Sequence, residues 1–196
     1  MLKKVLIAFA ALIAVLLIVV SMQPTEYRVE RSAQMQAPPD MIWAHISDFN
    51  TWKAWQPWWK SSQKITIDGT PGVVGHKSSW EGEKTGKGWM EITDVKQPNH
   101  LGLKLVAIEP MAGGATLAFD VAEGSDGSKV TWSMDGTNDF VHKFFSLIMN
   151  IEEMIGSKYE EGLTDLKTIV EAEAKKKAEE LAAVEANAEE PTAAEQ

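Results

Sequence analysis

LGLKLVAIEPMAGGATLAFDVAEGSDGSKVTWSM, Leu101 to Met134, places an apolar side chain on every second residue for most of its length. Leu101, Leu103 and Leu105 share one face, as do Leu117, Phe119 and Val121 and then Val130, Trp132 and Met134, because successive side chains of a strand point to opposite sides. Gly124-Ser125-Asp126-Gly127 supplies the chemistry of a chain reversal. The stretch therefore reads as antiparallel strands with one buried face. The same period continues upstream and predicts strands over residues 64–68, 73–80, 88–96, 100–108, 115–122 and 129–135. Asp68-Gly69-Thr70-Pro71-Gly72 forms a further turn.

Downstream the period changes. Val141, Phe144, Phe145, Ile148, Ile151, Ile155, Tyr159, Leu163, Leu166 and Ile169 recur at three- and four-residue steps, which predicts one helix from near Asp139 to at least Val170. Such a stripe needs an apolar partner, and the sheet is the only one large enough. Beyond Val170 the chain turns to Ala, Glu and Lys, good helix formers without a stripe, so several solvated turns are expected before a frayed end. Upstream of the strands, Tyr27 to Arg31 alternates like a first strand. Ala37-Pro38-Pro39-Asp40 then launches a helix over Met41 to Ile46, since proline's missing N–H costs nothing in a first turn. DFNTWKAWQPWW, Asp48 to Trp59, holds four of the eight tryptophans. It is expected to be a short helix or ordered loop that Pro57 ends, with Trp55, Trp58 and Trp59 on the surface as a portal, membrane contact or partner site.

The class is thus α+β, an antiparallel sheet wrapped around a long C-terminal helix and preceded by one transmembrane helix. Three segments are expected: an anchor over residues 1–22, a ligand-binding domain over 23–170 and a charged tail over 171–196. Three passages resemble a known family. They are APPDMIWAHISDFNTWKAWQPW from Ala37, VGHKSSWEGEKTGKGWMEIT from Val74, and MIGSKYEEGLTDLK from Met154. They are similar to the START-like SRPBCC superfamily, in its polyketide cyclase/dehydrase-like branch. The resemblance implies a helix-grip fold with a lipophilic cavity between sheet and helix. It is silent on the ligand, because that superfamily spans lipid carriers, cyclases and proteins of no known activity.

Lys3 and Lys4 precede an unbroken apolar run from Val5 to Val20, followed by Ser21-Met22-Gln23-Pro24. A secretory apolar region is usually ~7–15 residues and ends in a small-x-small site. This run is longer and offers only Val19-x-Ser21, so it reads as an uncleaved anchor, with a cleaved signal as the alternative. About 16–18 helical residues span roughly 24–27 Å, a little short of a ~30 Å hydrocarbon core, so Lys3 and Lys4 are expected to snorkel. Keeping the lysines cytoplasmic sends the rest across a bacterial inner membrane as a single-pass periplasmic or extracytoplasmic protein.

Composition narrows the chemistry. With 196 residues and 44% hydrophobic content, one domain can bury a core without staples. The absence of cysteine removes disulfides, thiolate nucleophiles and Cys-ligated metals together. A net charge of -9 argues against nucleic acid, which needs a basic stripe. Residues 171–196 hold eight Glu against three Lys, so much of the negative excess lies in the tail, whose protein partner is not legible. His45, His76, His100 and His142 sit on separate elements in no ligand pattern, so neither metal nor cofactor is expected. No GxSxG or phosphate-cradling loop occurs.

Acid–base chemistry is the enzymatic possibility that survives, because a carboxylate or imidazole in an apolar pocket acquires a useful pKa. Alternation turns Glu91 and Asp120 outward and leaves Glu81 at a turn. His76, on the face of Trp80, is the inward candidate, against a bland reading as a hydrogen-bonded cavity residue. The ligand-binding wall is expected from Trp55, Trp58, Trp80, Trp132, Met134, Phe144, Ile148, Ile151 and Ile155. Three functions fit: a membrane-anchored binder of a small hydrophobic or amphipathic molecule, a cyclase or dehydratase, and a structural envelope protein whose cavity its own side chains fill.

Overall fold

The computed structural model describes residues 1–62, 64–110, 112–147 and 150–188. Helix α1 (Leu2–Ser21) leads through a short linker to strand β1 (Glu26–Met35), helix α2 (Pro39–Ile46), a single 3-10 turn (Trp52–Ala54) and helix α3 (Pro57–Ser61). Strands β2 (Lys64–Asp68), β3 (Lys77–Gly82), β4 (Gly86–Lys96), β5 (His100–Glu109), β6 (Gly113–Gly124) and β7 (Gly127–Thr137) follow. Helices α4 (Phe140–Ser146) and α5 (Ile151–Ala188) complete the order. The strands form one seven-stranded antiparallel sheet in the order β1-β7-β6-β5-β4-β3-β2. This is the α+β helix-grip arrangement: a meander whose first strand returns to pair with the last.

The period-two pattern sets the register. Leu117 lies opposite both Leu103 and Met134, and Phe119 opposite both Leu101 and Trp132, so the apolar members of each strand stack across the sheet on the face toward α5. Tyr159, Leu163, Leu166 and Val170 of α5 are buried on that face. Fully burying a Leu or Phe side chain stabilises by roughly 1.5–3 kcal/mol, whereas an exposed ion pair contributes about 0–1 kcal/mol. Packing therefore holds α5 down, and ion pairs tune its register. Arg31 of β1 bonds Glu160 at 2.7 Å and Glu152 at 3.3 Å, Lys60 of α3 meets Asp165, and the Gln36 N–H donates to Glu171 at 2.7 Å.

Four expectations need correction. The strand expected over 73–80 begins at Lys77, because Gly72 and Gly75 adopt φ of +74° and +92° and make the preceding residues a turn. The single helix from Asp139 is two. Asp139 caps α4 by accepting from the His142 N–H, and Asn150 caps the start of α5 by accepting from Glu153 N–H at 3.2 Å. Pro57 opens a helix instead of ending one. It occupies the first turn of α3, where no N–H is missed, while the Gln56 side chain accepts from Trp59 N–H at 2.8 Å. The tryptophan-rich segment is core: Trp52, Trp55 and Trp59 are buried with Phe49, and only Trp58 is partly exposed.

Helix α1 is long and apolar enough to cross a membrane, with mean hydropathy 2.8 over its best window, and Val20 is its one buried residue. Its 20 residues reach about 30 Å and include Lys3 and Lys4 in the first turn, ahead of the apolar run from Val5 to Val20.

Candidate functional site

Between the sheet, α3 and α5 lies a cavity of about 190 Å³. Each element contributes the residues its period points inward. Strands β4, β5 and β6 supply Met90, Leu105 and Leu117, β7 supplies Trp132 and Met134, β3 supplies Trp80, α3 supplies Trp58 and Trp59, and α5 supplies Ile155 and Tyr159. Gln56, Ser62 and Thr85 complete the wall. Gln56, Trp59, Met90, Leu117, Trp132, Met134 and Tyr159 are buried and form the floor, while Trp58, Ser62, Trp80, Thr85, Leu105 and Ile155 are partly exposed and form the mouth.

Two glycines make room for aromatic walls. A Cβ at Gly88 would stand 2.5 Å from the Trp80 ring and 2.6 Å from the Val106 carbonyl, so only glycine lets that indole lie across β4. At Gly162 a Cβ would come to 3.1 Å from both Trp132 and Pro57, which lets α5 approach β7. The mouth is braced by Trp80 Nε1 donating to the Thr85 carbonyl at 3.2 Å and by the Ser62 hydroxyl, 3.0 Å from the Trp58 carbonyl and 3.2 Å from Thr85 Oγ1.

The polar groups of the wall are neutral. Among the described residues, the Tyr159 hydroxyl and Trp132 Nε1 are buried without a hydrogen-bond partner. The Gln56 carbonyl oxygen is taken by Trp59 N–H, which leaves its amide NH2 at the cavity. Burial, reinforced by Tyr27, pushes the Tyr159 phenol far above its usual range, so it stays protonated. None of the described lining residues is Asp, Glu, His, Lys or Arg. The arrangement has the shape to take an apolar body and donors to offer it, and the described lining residues include no carboxylate, imidazole or ammonium.

Trp58, Trp80, Trp132, Met134 and Ile155 lie together on this wall. Trp55, Phe144 and Ile151 do not. Trp55 is buried behind it, against Trp52, Phe119 and Trp132, Phe144 is half-buried on α4 outside the cavity wall, and Ile151 lines a surface depression with Tyr27 and Leu147. Ile148 lies outside the described residues. His76 is fully buried but off the cavity, its Nε2 accepting from Phe49 N–H at 3.2 Å and its Nδ1 donating to the Asp68 carbonyl at 3.0 Å. Both nitrogens meet backbone groups, the Asp48 carboxylate lies 3.8 Å from Nε2 and the ring stacks on Phe49, so this side chain fastens the turn before β3. Glu91 stands outward near Lys77, and Asp120 bonds His100 at 2.6 Å on the surface. Leu105, Leu117, Met90 and Tyr159 were readable from their faces, whereas Gln56 and Trp59 depend on the helix that Pro57 begins. Among the described residues no cluster of three His, Asp or Glu could hold a metal.

Residues 26–171 match the sequence profile of the family described as polyketide cyclase / dehydrase and lipid transport. No protein of curated function matches the sequence. Among solved structures, protein MLL2253 from Mesorhizobium loti is similar with a TM-score of 0.59 at 12% identity, covering 74% of this chain and 98% of that one. The di-domain ARO/CYC StfQ from the steffimycin biosynthetic pathway matches with a TM-score of 0.59 at 9% identity, over 77% of this chain and 53% of its own. The Aha1 dimer from Colwellia psychrerythraea matches with a TM-score of 0.53 at 15% identity, over 74% and 96% respectively. At these identities the likeness is one of fold.

Proposed function

The chain belongs to the polyketide cyclase / dehydrase and lipid transport family, and from that premise we propose that it is a membrane-anchored binding protein for a small, uncharged, largely apolar molecule. The observation that carries the reading is the cavity itself: aromatic and aliphatic walls with neutral donors and no ionised group. Ligand sites for drug-sized molecules usually measure about 300–1,000 Å³. A cavity of about 190 Å³ suits a body of one or two rings, or the end of a chain whose remainder passes out of the mouth. Helix α1 supplies the anchor, and Lys3 and Lys4 orient it so that the cavity domain faces the periplasm or exterior of a bacterial cell.

A second reading, a cyclase or dehydratase, is favoured by the family's description and by the fold shared with StfQ. It requires proton transfer at the cavity, where the titratable wall group is the strongly neutral Tyr159.

The test is a titration of the full-length protein in detergent with uncharged aromatic ketones and with hydrocarbons of the same shape. Tryptophan quenching and a rise in melting temperature by mass action report binding. Ketones should bind more tightly than hydrocarbons, and Leu117→Trp, which fills the cavity, should abolish both signals. Absence of any quench or shift across the panel would favour the filled-core structural protein, and turnover of a ketone would favour the enzyme.

A further inference from the structure

Helix α4 carries apolar side chains that the protein does not cover. Phe140 and Val141 are 52% and 51% exposed, Phe145 and Leu147 are exposed on the same short segment, and Met154 joins them from the first turn of α5 at 52%. Scattered exposed apolar residues are ordinary, but a set confined to one corner marks a contact surface.

The corner is held in place. Helix α4 lies beside α1. Its Lys143 ammonium donates to Thr25 Oγ1 at 2.9 Å, and Asn138 N–H donates to the Thr25 carbonyl at 2.6 Å, so α4 is fastened to the linker that leaves α1. On its other side His142 approaches Gly113 at the β5–β6 turn, where Ile108 is also exposed. Met22 to Thr25 are all that separate α1 from β1. At no more than ~3.6 Å per residue, the five steps from Ser21 to Glu26 hold the start of β1 within about 18 Å of the end of α1. The hydrocarbon core of a bilayer is ~30 Å thick and the whole about 40–45 Å, so this end of the sheet is confined to the edge of the headgroup layer.

The mouth of the cavity opens at the same end. Trp80 and Thr85 lie where β3 turns into β4, Leu105 near the end of β5, and Ile155 one residue after Met154. We propose that α4 and its apolar neighbours form a second membrane contact, lying in the surface of the bilayer that α1 enters, so that the cavity receives its ligand from lipid and not from water. Rigid fastening to the linker, continuity with an apolar helix and short reach together select a phospholipid surface as the occupant. The proposal rests on the anchor reading of α1.

The cysteine-free chain permits a clean test. Full-length Ala14→Cys, Val141→Cys, Phe145→Cys and Asp126→Cys variants, each labelled with one environment-sensitive fluorophore, are reconstituted in phosphatidylcholine/phosphatidylglycerol vesicles. The lipids carry a nitroxide quencher either near the headgroup or deep in the acyl chain. The label at position 14 should be quenched by the deep nitroxide. Labels at 141 and 145 should be quenched several-fold more by the shallow one, and the label at 126, in the turn at the far end of the sheet, by neither. Quenching at 14 with 141 and 145 no better quenched than 126 would overturn the docking and leave the anchor standing. No quenching at 14 would overturn both. Labels at 141 and 145 shielded from lipid and from an aqueous quencher alike would assign the face to a second copy of the chain and overturn the proposal.

Discussion

Tyr159 of α5 lies face to face on Trp132 of β7, with ring centroids 3.8 Å apart and planes 8° from parallel. Trp58 meets the same phenol edge-on at 6.1 Å, and Phe119 stacks beneath Trp132 at 4.9 Å. Helix, sheet and tryptophan segment are joined through this column, and the cavity lies against it.

Tyr159→Ala removes a buried ring and should cost about 3–5 kcal/mol in urea unfolding. Tyr159→Phe keeps the stack and deletes a hydroxyl with no protein partner. Leaving such a group buried costs roughly 1–3 kcal/mol, so the variant should be at least as stable as the parent. Its affinity for ketones should nevertheless fall a few-fold in the quenching titration if the hydroxyl donates to ligand.

The same hydroxyl gives stability an alkaline limit. The phenol is held neutral in the fold, its pKa raised above the ordinary 10.0 by burial, while in the unfolded chain it ionises freely. A raised folded value means a contribution that is whole below pH 10 and is lost as pH climbs beyond it. Melting temperature should therefore decline above pH 10, and the decline should be shallower in Tyr159→Phe. An identical slope in both proteins would show that Tyr159 is not sealed in.

Among the α5 positions, Leu163→Ala should cost about 2–5 kcal/mol, because Leu163 is buried against the sheet. Ile155→Ala should cost less and admit bulkier ligands, since Ile155 stands at the cavity mouth. Ile151, expected from the sequence on the same wall, lines a separate depression, so its replacement should leave ligand size selection unchanged. Glu185→Ala, exposed, should change stability by less than ~0.5 kcal/mol. Denaturation and a ligand-size series separate the four.

Gly88→Ala drives a methyl group into the Trp80 ring and the Val106 carbonyl. Overpacking of this kind costs about 1–3 kcal/mol. Trp80 should rotate out of the wall, seen as red-shifted emission and weaker quenching by ligand.

The strands were legible because Leu101 to Met134 repeats at two, a period that only one geometry satisfies, and the turn at Gly124–Gly127 closes it. Tyr159, Leu163 and Leu166 were equally open to reading, whereas the stripe ends on Ile169 and the buried neighbour is Val170. The break before α5 was not, since Phe144, Ile148 and Ile151 keep helical spacing across it. Asn150 followed three residues later by Glu153 is the capping signal that marks it, and an apolar stripe drowns that signal. His76 illustrates a second limit: alternation tells which face a side chain takes but not what meets it there, and Phe49 and Asp68 arrive from distant turns. For Trp55 and Trp59, length decided. A segment too short to form a layer of its own was still long enough to fold under α5.

Helix α5 starts at the end of the sheet that α1 leaves, passes Gln36 at the opposite end where Glu171 takes its N–H, and continues to Ala188. Its 38 residues measure about 57 Å. Glu179, Glu180 and Glu185 therefore lie more than about 40 Å along the helix from its start, several times the ~10 Å over which a charge is felt at 0.1 M salt. With α1 in a bilayer, the charges of Glu179, Glu180 and Glu185 are carried out of range of anionic headgroups, so the apolar corner can rest on a negative surface without electrostatic repulsion from these three carboxylates.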